Sequence, residues 1–267
     1  MTHHGVRIGV IGYGFIGHHV VQAIRGRRDL GVELAFVHAR DIGKLQDLPQ
    51  ALVAPSLQDL RRFAPDLIVE CAHPDVSHRH GAEFLACADY LPLSVNALAE
   101  PGTEAALAAA ALASGRRLFI PHGALIGLDN LVEMRDEWTD VTITFRKHPD
   151  NIDFAASGID RASIASRTIL YDGPARGIAR LFPRNVNTMT TCALATVGLD
   201  RCRAVLEADP ALDVAIAEVR AVARDGSIHE SRKMQRMQGV SGTEMRAAQF
   251  GSILRAAGSF RPGINFV

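Results

Sequence analysis

The sequence predicts an α/β protein in which a doubly wound parallel sheet is followed by a second, α+β domain. Three observations carry this reading. A β-branched run ends in three glycines and gives way to a helical pattern. Strand-like and helix-like segments alternate over the first 120 residues. After Val141 the pattern changes to alternating strands with a hairpin signal.

Residues 6–11 read as the first strand and 15–25 as the first helix, whose Ile16, Val20 and Ile24 recur every four residues and give it a buried face. Leu34–Val37 reads as the second strand. Ser56-Leu-Gln-Asp59 resembles a capping box opening a short helix. Asp66–Ala72 is a continuous apolar run of the kind found in buried parallel strands. His78–Ala88 reads as helix and Leu91–Val95 as strand. Thr103 is placed to cap an alanine-rich helix over Glu104–Ala113, which Ser114-Gly115 ends, and Arg117–Ile120 is one more strand. Strands alternating with helices in this way form a doubly wound parallel sheet.

In the second part, Val141–Phe145 alternates as a strand with one wet face, and Thr168–Tyr171 is a further short strand. Pro174 opens a helix at its first turn, where a missing N–H costs nothing. Val186–Val197 reads as helix, and Arg203–Glu207 and Val214–Val222 as strands. Asp225-Gly226 signals a two-residue hairpin into a strand from Ile228, and Glu244–Ala257 is a final helix. The expected boundaries are 1–120 for the first domain, 121–240 for the second, and 241–267 for the closing helix.

The glycines are Gly12, Gly14 and Gly17, spaced G-x-G-x-x-G between a strand and a helix, the context a dinucleotide fingerprint requires. Gly12 permits the tight turn, Gly14 lets the backbone approach a pyrophosphate, and Gly17 lets the helix pack on the strand. The N–H groups of Phe15, Ile16 and Gly17 then face the phosphates at the positive end of the helix dipole. NAD-specific Rossmann folds place an acid on the ribose at the end of the second strand, roughly 20 residues past the glycines. Here that stretch is Val37-His38-Ala39-Arg40, and Asp41 comes only after Arg40. Arg40 can pair a 2′-phosphate instead, so the cofactor expected is NADP or NAD.

The composition narrows the rest. The chain has 267 residues, 48% of them hydrophobic, with 29 basic and 29 acidic side chains balancing to zero. Zero net charge gives no electrostatic case for nucleic acid or an anionic membrane. No apolar run reaches the ~20 residues of a membrane span, and the first residues lack a signal-peptide core. The four cysteines are scattered without a C-x-x-C spacing, and the eleven histidines are dispersed, so no metal site is expected and a reducing, cytoplasmic setting is.

Further motifs are Pro121-His-Gly-Ala-Leu-Ile-Gly-Leu-Asp129, Leu181-Phe-Pro-Arg-Asn185-Val-Asn187 with Thr190-Thr-Cys-Ala-Leu-Ala195 after it, Asn96-Ala-Leu-Ala-Glu-Pro-Gly102, and Arg146-Lys147. With the opening fingerprint, these resemble the L-aspartate dehydrogenase family from Val6 to about Asp209. The resemblance implies a Rossmann domain, an α+β domain that binds substrate and dimerises, and a C-terminal helix returning to the first domain. It implies reversible oxidative deamination of L-aspartate to iminoaspartate, with hydride going to NAD or NADP and with Ala124 and Asn187 at the nicotinamide. Two positions depart from the family pattern. Ala217 stands where the family has a catalytic histidine, and Glu244 stands where it has a lysine that grips substrate.

Other groups can take over. His122 sits in the Pro-x-Gly-Ala loop and can donate a proton, or only line the loop and stack against the cofactor. If Asp225-Gly226 is a two-residue turn, Val222 pairs with His229, which puts His229 on the face opposite Ala217. His73 shapes a turn at a strand end, and His148 reads as a surface residue. Arg146 and Lys147 can bind a substrate carboxylate or simply form a solvated strand end. Two functions therefore stand side by side: an aspartate dehydrogenase-like oxidoreductase with an altered substrate, and a dinucleotide-binding paralogue or sensor without that turnover. The partners expected are a small-molecule substrate and a second copy of the chain.

Overall fold

The computed structural model describes residues 5–58 and 60–259. They divide into two compact units. One is built from the chain up to Ala97, from Pro101–Pro121 and from Arg246 onward; the other from Leu98–Glu100 and His122–Met245.

The first unit has the predicted parallel sheet. Its strands are β1 (Val6–Ile11), β2 (Val32–His38), β3 (Leu67–Glu70) and β4 (Asp89–Pro92), in the order β2-β1-β3-β4, all parallel. Helix α1 (Phe15–Gly26) buries Gly17, Val20, Val21 and Ile24, the four-residue stripe seen in the sequence. Helix α2 (Pro74–Leu85) starts earlier than expected. Pro74 is its first residue, and the Nδ1 of His73 accepts from the Asp75 N–H at 3.2 Å as the cap. Helix α3 spans Pro101–Ser114, so Thr103 lies within its first turn and its hydroxyl meets the His78 ring at 2.7 Å instead of capping. The strand expected at Arg117–Ile120 is reduced to one bridge between Leu118 and Tyr90. Ser56 accepts from the Gln58 N–H, and a single 3₁₀ turn follows over Leu60–Phe63; Asp59, the fourth residue of the expected capping box, lies outside the described residues. The helix before the end of the chain, α7 (Met245–Ala256), adds Phe250 and Ile253 to the core of this unit.

The second unit is a mixed five-stranded sheet with helices on one face. Its strands are β5 (Trp138–Lys147), β6 (Thr168–Pro174), β7 (Arg203–Ala208), β8 (Ala215–Ala223) and β9 (Ile228–Gln235), in the order β6-β7-β5-β8-β9. Only β5 and β7 run parallel; the other pairs are antiparallel. Helices α4 (Leu128–Glu133), α5 (Ala175–Leu181) and α6 (Asn187–Ala195) share a core with Val141, Ile143 and Phe145, the inward residues of β5. Pro174 closes β6 and precedes α5 as its cap residue, one position earlier than the first turn. A two-residue ribbon, β10 (Met237–Gln238) with β11 (Ser241–Gly242), leads from β9 towards α7.

The hairpin between β8 and β9 differs from the expected one. Ala223 N–H bonds to Ser227 O and Gly226 N–H to Ala223 O, so the loop is Arg224-Asp225-Gly226, three residues long. Gly226 has φ +86°, the left-handed residue that follows a type I turn in three-residue hairpins. The extra residue moves the register by one, which changes which side chains face each other. Val222 pairs with Ile228, Ala221 with His229, and Ala217 with Lys233. His229 is therefore on the same face as Ala217, four residues further along, and the direct neighbour of Ala217 is a lysine.

Candidate functional site

In the first unit, β1 ends at Ile11 and the glycines follow. Gly12 has φ +104°, and a Cβ there would lie 2.7 Å from Cys71 O. A Cβ on Gly17 would lie 2.0 Å from Gly12 O, so helix and strand pack only because this residue has no side chain. Gly14 differs from both: a Cβ there would meet nothing within 4 Å. The protein's own packing does not need its smallness. Gly14 is the N-cap of α1 with no side-chain cap, and the first turn holds no acidic residue. The leading N–H groups are thus left for an anion.

Beside this turn lies a cleft of about 640 Å³ lined by Tyr13, Gly14, Phe15, His18, Lys44 and Arg246, among others. No aspartate or glutamate lines it among the described residues. The Arg246 guanidinium lies over the Phe15 ring at 4.7 Å. Burial, with Arg246 nearby, holds the His19 imidazole below its usual pKa. At the end of β2, His38 Nδ1 lies 2.8 Å from Ala54 O, Arg40 is exposed, and Asp41 turns its carboxylate back onto the Gly43 N–H at 3.1 Å. Asp41, the acid that follows Arg40, therefore caps its own turn. These residues fit a dinucleotide: N–H groups for a pyrophosphate, cations for further phosphate, and open space at Gly14.

Glu70 closes β3 fully buried. Its oxygens accept from the Ala72 N–H at 2.6 Å and from Ser94, tying the loop after β3 to the loop after β4. Burial raises its pKa to about 7 against those hydrogen bonds.

The second unit carries the other predicted residues. Gly123, with φ +59°, turns the chain between His122 and Ala124, and Leu125 N–H closes the turn on His122 O at 2.9 Å. His122 is half-buried and Ala124 buried. The Ala124 N–H donates to Thr188 Oγ1 at 3.3 Å, and its carbonyl accepts from Lys233 Nζ at 3.2 Å. Asn187 begins α6 one residue before that threonine.

Lys147, the last residue of β5, is only 5% exposed. Its Nζ donates to Asn185 O at 3.5 Å and lies 5.1 Å from the Phe145 ring centre. No carboxylate pairs with it among the described residues, and burial brings its pKa down to about 8. The Asn185 side chain braces this corner: it accepts from the Asp153 N–H at 2.9 Å and donates to Asn151 O at 3.1 Å. Arg146 points to the opposite face, as alternation requires. There it pairs with Glu207 at 2.6 Å, and so is occupied by a structural ion pair. His148 caps the turn over Pro149–Asn151.

Glu244 forms an ion pair with Lys233, so its charge is not left bare. Thr188, Lys44, Arg246 and Lys233 go unnoticed in the sequence, and Asn185 is seen there only as part of its motif, without a role. Only Lys233 carries a signal there: it lies an even number of residues from His229 on an alternating strand, and the correct hairpin register puts it beside Ala217.

Comparison with known proteins matches residues 12–121 to the homoserine dehydrogenase NAD-binding domain and residues 129–248 to the aspartate dehydrogenase C-terminal domain. An aspartate dehydrogenase domain-containing protein of Xenopus tropicalis is 39% identical over 215 residues, covering 78% of this chain and 76% of that protein. L-aspartate dehydrogenase 1 of Bordetella pertussis is 31% identical over 227 residues, covering 84% and 85%. The crystal structure of aspartate dehydrogenase from Thermotoga maritima superposes with a TM-score of 0.76 at 25% identity, covering 99% of this chain and 100% of that one.

Proposed function

The chain belongs to the aspartate dehydrogenase family, and from the charges in its second unit we propose that its preferred substrate is an amino acid less acidic than aspartate. It is an NAD(P)-dependent oxidoreductase of the aspartate dehydrogenase type, acting on the CH–NH₂ group of an amino acid. The bound nicotinamide supplies the acceptor for the substrate's hydride. The protein's own residues bind, orient and move protons around that event.

In this reading the first unit, with the closing helix, is the cofactor domain, and the second is the substrate and dimerisation domain. Gly12, Gly14, Phe15, Ile16 and Gly17 receive the pyrophosphate, Arg40 a 2′-phosphate, and Ala124 and Asn187 the nicotinamide. Lys44 and Arg246 add positive charge to the cleft at the glycine turn. With no acid free at the end of β2 among the described residues, NADP binds at least as well as NAD. Lys147 holds the substrate's α-carboxylate, and His122 carries the proton that accompanies C–N chemistry. Lys147 is the observation that supports a carboxylate-bearing substrate, because a buried ammonium without an anion is costly unless a ligand supplies one. Ala217 offers no imidazole, and Glu244 engages the other inward cation, so a second carboxylate on the substrate is poorly served. A non-catalytic sensor is the reading favoured by Ala217 alone.

We further propose that the chain is a cytoplasmic homodimer. No helix among the described residues is long and apolar enough to cross a membrane, and Cys71, Cys87, Cys192 and Cys202 are all free thiols. The helix-free face of the second unit's sheet supports the dimer: it exposes Ile169, Ile228 and Met234.

Steady-state assays in both directions test the substrate. L-aspartate, and oxaloacetate with ammonia, are compared with monocarboxylic amino acids and their oxo acids, using NADP and NAD. Aspartate turnover is expected to be weak and monocarboxylic turnover stronger. Aspartate turnover at an ordinary enzyme rate of ~10 s⁻¹ contradicts the proposal.

A further inference from the structure

The Lys233–Glu244 pair lies at the turn that carries Ala124. Lys233 is the direct cross-strand neighbour of Ala217, on the face of the sheet shared with Phe145 and Lys147. Alanine fills little of the space there, and the lysine arm reaches the Ala124 carbonyl at 3.2 Å. Its side chain is 16% exposed, while that of Glu244 is 42% exposed. The cation is thus embedded, and Glu244 reaches it from a partly exposed position with its own Oε1 buried. The chain spends structure on bringing the anion there. The β10–β11 ribbon folds back from β9, Asn151 Nδ2 holds Gly239 O at 2.8 Å, and Thr243 N–H bonds to Arg236 O at 3.0 Å. Gly242 leaves room for the Gln235 side chain, which a Cβ would strike at 2.6 Å. The next residue but one is Glu244.

We propose that Glu244 is a built-in substitute for a substrate side-chain carboxylate: it occupies Lys233 and so excludes dicarboxylic amino acids in favour of monocarboxylic ones. The inference rests on the functional reading above and names the residue that sets substrate class. Lys147 remains the anchor for the carboxylate every amino acid has. Lys233 would anchor a second one, and its anion is already in place. Burial lowers the Lys233 pKa, so this ammonium depends on an anion beside it. A dicarboxylic substrate must either displace Glu244 or place its own charge against it, and both weaken binding.

The test is a gain of function, which a misfolded variant cannot mimic. Succinate serves as the dicarboxylate probe, titrated calorimetrically into the NADP complex of the wild type, Glu244→Ala, and Glu244→Ala combined with Lys233→Met. NADP affinity of each variant reports that the chain is folded. Glu244→Ala is expected to bind succinate on the order of ten- to a hundredfold more tightly than wild type, the effect of removing one like charge at close range. The added Lys233→Met is expected to abolish that gain. In turnover, Glu244→Ala raises kcat/KM for L-aspartate relative to a monocarboxylic substrate by a similar factor. Unchanged succinate affinity in Glu244→Ala, or a gain that survives Lys233→Met, overturns the inference. Wild type that binds NADP yet oxidises no amino acid overturns the functional reading instead, and the succinate titration still decides the inference.

Discussion

Lys147 is a buried cation at the end of β5. Its ammonium is buried without an anionic partner among the described residues, and its pKa is down to about 8. In the unfolded chain it returns to the ordinary lysine value. Below pH 8 both states are protonated and the full cost of burying the charge is present. Between about 8 and 10.5 the folded state holds fewer protons, so this cost is relieved as pH rises. Lys147→Met, nearly equal in shape, is therefore expected to be more stable than wild type at pH 7, by up to about 3 kcal/mol from the size of the shift. It is also expected to lose substrate affinity at least tenfold, the loss of a charged hydrogen bond. In wild type KM rises as pH climbs through about 8, and Lys147→Met lacks that rise. Thermal unfolding and KM profiles across pH 6–10 check all three; a destabilised variant with unchanged KM contradicts the role. Arg146-Lys147 is legible in the sequence as a pair of cations. Which one faces the core is not, because alternation assigns opposite faces without saying which is covered. Lys44 and Arg246 are not legible at all: they lie far apart in the chain and meet only through the fold.

Elements differ in how fully local pattern determines them. The strand–glycine–helix start is local, so β1 and α1 match the residues read from sequence almost to the residue. The β8–β9 hairpin is also local, yet Asp225-Gly226 serves equally as a two-residue turn or as the end of a three-residue one. One extra residue moved Lys233, and not a residue beside it, opposite Ala217. Arg117–Ile120 has the composition of a strand but pairs at a single bridge, since pairing depends on a distant partner. The glycine turn makes a contrast that can be tested. Gly17→Ala drives a methyl into Gly12 O and is expected to destabilise the fold by roughly 1–3 kcal/mol, the usual cost of overpacking. Gly14→Ala meets nothing in the protein and is expected to unfold within about 0.5 kcal/mol of wild type while losing NADP affinity at least tenfold. Denaturant melts and NADP titrations of the two variants check this, and equal stability losses would show that Gly14 is a folding residue and not a binding one.

At the scale of the whole molecule, the sequence shows a parallel α/β part and a mixed α+β part, because the hydrophobic pattern changes period and style between them. It does not show which sheet face is left uncovered. On that face Arg232, Glu218, Arg146, Glu207 and Arg167 form a ladder of ion pairs across the sheet, flanked by exposed Ile169, Ile228 and Met234. Interleaved charge and large apolar side chains suit a second copy of the same face. Light scattering at micromolar concentration is expected to give twice 28.8 kDa, and Ile228→Lys with Met234→Glu to give the monomer mass with NADP affinity retained. A wild-type monomer contradicts the dimer. This chain moves a hydride from the Cα of an amino acid to NAD(P). The most direct measurement incubates the enzyme and NADP with a pool of Cα-deuterated amino acids and reads both by mass spectrometry. Deuterium is expected in the reduced nicotinamide, matched by loss of a monocarboxylic amino acid from the pool. Reduced nicotinamide without deuterium, or none formed while NADP is demonstrably bound, would contradict it.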